Sequence, residues 1–120
     1  MKNFSYYLPV HIQFGWNASE RIGELTASWG NRALIVTGNG GSARRSGVLE
    51  RVETALQSQA ITYAVYDGVV PNPGFQEVEA GAAAAKAMQA QFVIAVGGGS
   101  VIDCAKGIAF AANSNEIGRA

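Results

Sequence analysis

The sequence predicts an α/β fold, a parallel sheet with helices on both faces, and three observations predict it. From residue 33 onward, strand-like apolar runs alternate with helix-like segments. Two of those runs, ALIVT at 33–37 and FVIAV at 92–96, are compact and bounded by turn signals, as buried strands are. Each is followed at once by a glycine-rich turn that opens a helical pattern: GNGGSA at 38–43 and GGGS at 97–100. Strand–helix–strand alternation of this kind implies right-handed crossovers and hence a Rossmann-like parallel sheet.

The elements follow in order. VHIQF at 10–14 alternates enough for a short strand, and Gly15 ends it. Asn17 stands three residues before Glu20, close to a capping box. Ile22, Leu25 and Trp29 then recur at helical spacing, with Gly30 as the stop. After the strand at 33–37, a helix runs from about Ala43 to Gln59, with Val48, Val52, Ala55 and Leu56 as its apolar stripe. ITYAVY at 61–66 is β-branched and aromatic and reads as the next strand. Asp67-Gly68 turns the chain, and VVPNP stays extended because a residue before proline avoids the α region. Phe75–Gln89 is an alanine-rich helix with Val78, Ala82, Ala85 and Met88 on one side. The strand at 92–96 and a helix from Ser100 to about Ala112 complete the pattern, and NSNEIGRA reads as a loop. No internal repeat interrupts it.

The 120 residues suit one domain, and 48% hydrophobic residues supply a core. Charged residues make up 15% and the formal net charge is +0, so nothing steers the chain toward nucleic acid or an anionic membrane. No apolar run reaches membrane-span length, and the start lacks the build of a signal peptide. One cysteine forms no internal disulfide, and a cytoplasmic setting is the simplest expectation. One Cys and one His do not make a zinc site. His11 is expected as a strand residue and Cys104 as a packed helix residue. The sequence stops just past a helix, so the expectation is a fragment of a longer protein.

Ligands of parallel α/β sheets bind at the carboxyl ends of the strands, where both glycine-rich turns lie. In GGGSVIDCAK, two readings stand side by side. Ser100 is the N-cap with Asp103 three residues on, and Lys106 pairs with Asp103. Alternatively, the amides of Gly98, Gly99 and Ser100 hold pyrophosphate oxygens at a helix N-terminus. Asp103 would repel a diphosphate, so it caps the helix or holds a ribose hydroxyl or carboxamide. The first turn, Gly38 to Ala43, fits G-x-G-x-x-[GA]. Its expected acid is displaced, since Asp67 lies 26 residues past Gly41 rather than about 20.

Taken together, GGGSVIDCAKGIA, ALIVTGNGGSARRSGVLERV, YDGVVPNP and HIQFGWNASERIGEL resemble, in this order, segments of the iron-containing alcohol dehydrogenases. The resemblance covers nearly the whole chain and is strongest to the NADPH-dependent butanol dehydrogenase and aldehyde reductase members. It implies that 1–120 is a single α/β dinucleotide-binding domain, the N-terminal domain of a two-domain dehydrogenase whose helical C-terminal domain is absent here. It implies a small alcohol or aldehyde as substrate and leaves homo-oligomerisation open. It assigns Gly98, Gly99 and Ser100 to the pyrophosphate, Asp103 to the nicotinamide side and Asn72 to the adenosine end. PNP also reads as a rigid turn, and both roles are compatible.

NAD-using members often carry an Asp at the position of Gly38. Its absence here, with Gly40, Gly41 and Ser42 offering amides and a hydroxyl and Arg44 or Arg45 adding charge, favours NADP over NAD. Arg44 and Arg45 also read as a solvated helix start, and Asn39 interrupts the glycines of the family pattern. The family's Fe2+ or Zn2+ is held by an Asp and three His on the helical domain, so this chain alone is expected to be inactive. A stand-alone, non-catalytic nucleotide- or phosphate-binding module is the alternative.

Overall fold

The computed structural model describes residues 8–13 and 21–119. Four parallel strands form one sheet: β1 Val10–Gln13, β2 Arg32–Gly38, β3 Thr62–Val69 and β4 Phe92–Val96, in the spatial order β1-β4-β2-β3. The helices are α1 Ile22–Thr26, α2 Ser42–Arg45, α3 Val48–Ser58, α4 Phe75–Ala87 and α5 Gly99–Arg119, with a 3₁₀ turn at Ala27–Trp29.

The buried runs divide by parity, because successive strand side chains point to opposite faces. Ala33, Ile35, Phe92, Ile94 and Val96 join Ile22 of α1 and Val48, Leu49, Val52 and Leu56 of α3 on one face. Leu34, Val36, Val93 and Ala95 join Ala85 of α4 and Val101, Cys104, Ala105 and Ile108 of α5 on the other. The sheet is therefore covered on both faces, which is why its central strands read as unbroken apolar runs. The second helix layer is close-set, and a methyl added at Gly81 of α4 would run into Ile108 of α5.

Several expectations need correction. The helix expected at 43–59 is two helices, α2 and α3, separated at Ser46–Gly47, where Gly47 takes φ +87°. Asp67-Gly68 is not a turn. Both residues lie inside β3 at an irregularity of the ladder: from Val36↔Tyr66 to Gly38↔Val69 β2 advances two residues and β3 three, so Asp67-Gly68 carries the extra residue. As the outer neighbour of β2, β3 leaves Asp67 exposed to water. Asn72 is not extended but left-handed at φ +54°, a conformation that Asn tolerates. The last helix continues to Arg119 instead of ending near Ala112.

Leu25 and Trp29 are not core residues, at 46% and 37% exposure. Thr26 takes the buried place on that turn, its hydroxyl donating to the Ile22 carbonyl at 2.8 Å. The Trp29 ring meets Phe92 edge-on, with centroids 5.8 Å apart. The capping box expected at Asn17–Glu20 lies outside the described residues.

Candidate functional site

β2 and β4 are neighbours, and their register runs to Thr37↔Val96, so the two strands end at the same level. The turns that follow, 38–41 and 97–98, therefore sit side by side at the carboxyl edge of the sheet. From β2 the chain passes to α3 on one face, and from β4 it passes to α5 on the other. Adjacent strands whose chains leave in opposite directions form a crevice between their ends, the usual ligand position in open α/β sheets. The loop after β3 borders the same edge, because the Asn39 amide donates to the Val69 carbonyl at 2.7 Å. Asn72 lies three residues beyond that carbonyl and is exposed.

The glycines of GGG do different things. Gly97 takes φ +149°, and a Cβ there would lie 2.9 Å from Val101, so folding demands glycine at that position. Gly98 and Gly99 have no left-handed φ, are exposed, and would meet nothing within 4 Å of an added Cβ. α5 begins at Gly99, and the Ile102 amide donates to the Gly98 carbonyl at 3.0 Å. The amides of Gly99, Ser100 and Val101 precede that first bond and have no intrahelical acceptor. A helix of 21 residues presents its full positive end there.

Ser100 is the second residue of α5 rather than its N-cap, and Asp103 lies beyond the first turn. The capping roles expected for them are therefore not present, because the helix starts one residue earlier on glycine. Asp103 and Lys106 are both exposed, and no ion pair joins them; the described ion pair is Arg21–Glu24 at 3.3 Å.

At the first turn, Gly38 is half-buried, and a Cβ there would lie at ordinary contact distance, 3.7 Å, from both Val101 and the Val69 carbonyl. Gly40 stands in open space. Ser42 and Arg44 are exposed on α2, and Arg45 folds back so that its Nη1 donates to the Gly40 carbonyl at 2.6 Å. That contact has no signature in the sequence beyond a basic residue five positions on.

The remaining reactive groups stand outside the two glycine turns. Cys104 is buried against the sheet, and burial, then Glu77, push its thiol above the usual value, so it stays protonated at neutral pH. Tyr66 is raised for the same first reason, with Cys104, Glu77 and Asp67 adding to it. His11 lies in β1, its ring 6.4 Å from that of Trp29. No cluster of three His, Cys, Asp or Glu side chains suited to a metal occurs among the described residues. A groove of about 760 Å³ runs between α4 and α5, but its lining is mostly Ala, Phe75, Val78 and Phe110, with Lys86 offset by Glu79 as its charged members. It is not built for a charged nucleotide. Among the described residues no helix is long and apolar enough to cross a membrane.

Fold and edge together place the chain among the parallel α/β proteins whose sites lie at a strand switch point. More specifically, it belongs to the iron-containing alcohol dehydrogenase family, whose sequence profile matches residues 9–119. It is 42% identical over 109 residues to a probable NADH-dependent butanol dehydrogenase 1 of Bacillus subtilis, covering 91% of this chain and 28% of that protein. It is 34% identical over 116 residues to the NADPH-dependent aldehyde reductase YqhD of Escherichia coli, covering 97% and 29%. Among solved structures, an iron-containing alcohol dehydrogenase superposes with TM-score 0.77 at 30% identity, over 96% of this chain and 32% of that one. The NADH-dependent butanol dehydrogenase A of Thermotoga maritima superposes with TM-score 0.70 at 35% identity, over 90% and 27%. The chain thus spans less than a third of the length of these relatives.

Proposed function

We propose that this chain is the nucleotide-binding part of a metal-dependent alcohol dehydrogenase or aldehyde reductase, which moves hydride between NADP(H) or NAD(H) and a primary alcohol or aldehyde. The observation that carries the proposal is the pair Gly98–Gly99. Neither position needs glycine for its φ or for packing, yet both stand in open space where a long helix begins. A phosphate that must approach the backbone closely supplies the missing reason.

In this reading the free amides at Gly99 and Ser100 and the open backbone at Gly98 receive the pyrophosphate. The Ser100 hydroxyl adds a further donor. Asp103, next along α5, holds a ribose hydroxyl or the carboxamide, because its charge would oppose a diphosphate. Asn72, in the loop after β3, serves the adenosine end. When bound, the nicotinamide supplies the hydride donor or acceptor, and an iron or zinc ion supplies a Lewis acid for the substrate oxygen. The metal ligands we assign to the part of the relatives that this chain does not span, and His11 and Cys104 are not candidates. The 120-residue chain therefore binds cofactor but turns nothing over, and alcohol-dependent NADP+ reduction by it would overturn that assignment. A cytoplasmic setting belongs to the same proposal.

NADP is the preferred cofactor in this reading. Gly38 places no carboxylate where a 2′-phosphate would lie, Gly40 leaves room, and Arg44 or Arg45 adds positive charge at the same turn. Named relatives fall on both sides: NADH-dependent enzymes at 38–42% identity and an NADPH-dependent one at 34%.

Calorimetric titration of wild type and Gly98→Val with NADP+ tests the site. The variant fills open space, so its melting temperature should stay within a few degrees of wild type, while its affinity falls about tenfold or more. Equal affinity in a folded variant would remove Gly98 from the site.

A further inference from the structure

The turn after β2 holds a feature that the glycine pattern does not explain. Two successive carbonyls of the turn accept hydrogen bonds from one residue. The backbone amide of Arg45 donates to the Gly41 carbonyl at 3.0 Å, and its guanidinium Nη1 donates to the Gly40 carbonyl at 2.6 Å. A Cβ at Gly41 would lie 3.0 Å from that same Nη1, so the guanidinium crosses directly over Gly41, which is itself left-handed at φ +80°.

Peptide geometry turns this clamp into a statement about the donors. The chain has no cis peptide bonds. In a planar trans peptide, the carbonyl of one residue and the amide of the next point in opposite directions. Fixing the Gly40 and Gly41 carbonyls toward Arg45 therefore aims the Gly41 and Ser42 amides away from it. Neither amide has an acceptor among the described residues. α2 has only four residues, so its dipole does not account for an anion preference here.

We propose that Arg45 is a positioning residue of the nucleotide site: its guanidinium holds the Gly40 carbonyl while the first backbone bond of α2 holds the Gly41 carbonyl, and the turn so fixed presents the Gly41 and Ser42 amides to the phosphorylated adenosine end of the cofactor. This rests on the nucleotide-binding reading above. Arg45 acts through the turn rather than through contact with the ligand. A hydrogen bond from a charged donor at 2.6 Å is the stronger kind, and it holds the glycine turn in one form. A second basic residue, Arg44, makes no such bond and serves as the internal control.

The test compares wild type, Arg45→Met, Arg45→Lys and Arg44→Met by two readouts. The first is the amide NMR spectrum of the nucleotide-free chain, and the second is calorimetric affinity for NADP+. Arg45→Met should displace the Gly41 amide resonance above all, because its peptide carries the Gly40 carbonyl, speed its exchange with solvent, and weaken NADP+ about tenfold. Arg45→Lys, which keeps a charged donor, should recover most of both effects, and Arg44→Met should leave the free amides in place. An unmoved Gly41 amide in Arg45→Met would overturn the proposal, since any affinity loss would then be loss of direct charge. Displaced amides with unchanged affinity would overturn it equally. Wild type that fails to bind NADP+ while the amides still respond to Arg45→Met would sink the nucleotide reading and leave Arg45 a structural clamp only.

Discussion

Replacing Gly38 by Asp should move cofactor preference from NADP toward NAD. The substitution is compatible with the fold, because Gly38 has no left-handed φ and a new Cβ meets Val101 and the Val69 carbonyl only at 3.7 Å. The added carboxylate would stand where β2 ends, facing the position proposed for the adenosine ribose. A 2′-phosphate carries about −1.5 to −2 charges. At about 5–6 Å and a dielectric of about 80, Coulomb's law gives about 1–1.5 kcal/mol of repulsion, and at about 40 it gives twice that. The NADP+/NAD+ affinity ratio should therefore fall roughly five- to 150-fold. NAD+ has no such phosphate, and its free 2′-hydroxyl can donate to the new carboxylate. Raising the salt toward about 1 M shortens the screening length to about 3 Å and should return much of the lost NADP+ affinity. Calorimetry with both cofactors, at low and high salt, reads all of this. An unchanged ratio in a variant with unchanged melting temperature would refute the placement of the adenosine ribose at the end of β2. If Asp67→Ala abolished binding while Gly38→Asp did nothing, the loose dinucleotide fingerprint would be the right reading instead.

Other consequences concern the fold itself. Ala60 follows α3 at φ +58°, with the Ile61 amide donating to the Leu56 carbonyl, so Ala60→Gly should stabilise the chain by about 1 kcal/mol in urea unfolding. Gly81→Val should cost about 1–3 kcal/mol because it drives into Ile108, and a second change, Ile108→Val, should return part of that loss. Cys104 and Tyr66 both titrate above their ordinary values in the fold. A raised folded-state pKa means that the unfolded chain releases the proton first. The stabilisation is complete below the unfolded values and is lost as pH rises above about 8.5 to 10. Urea midpoints should therefore fall in alkali, and Cys104→Ala should flatten part of that fall.

Much of the fold was legible because burial on both faces leaves a plain mark. The strand at 92–96 appears with the bounds its apolar run has, and Val48, Val52 and Leu56 of α3 are buried as their spacing implies. Features set by partners distant in sequence were not legible. Asp67-Gly68 looks like a turn to any local rule, but the pairing of Tyr66 and Val69 with β2 on either side keeps it within the strand. The break at Gly47 is invisible because a glycine in a helical pattern can be tolerated or can end the helix. On the first helix, Thr26 takes the buried place by bonding its own turn, which leaves Leu25 and Trp29 outside.

The candidate site divides in the same way. The placement of Gly38, Gly40, Gly41 and Ser42 beside Gly98, Gly99 and Ser100 follows from strand order, which alternation alone did not fix. The separate duty of Gly97 became visible only once Val101 was seen beneath it. Ser100 and Asp103 matched a capping pattern, but the helix begins on Gly99 and uses neither for it. The reach of Arg45 to Gly40 depends on a four-residue helix turning the side chain back, which no motif encodes.

The central claim is that the glycine turns at the ends of β2 and β4 form one nucleotide site. Amide chemical-shift mapping during an NADP+ titration of this chain tests it most directly. The account predicts that the largest shifts fall at 38–42 and 98–100, with smaller ones near Asn72 and Asp103. Shifts centred on the groove between Phe75 and Phe110, or none at all at saturating NADP+, would contradict it.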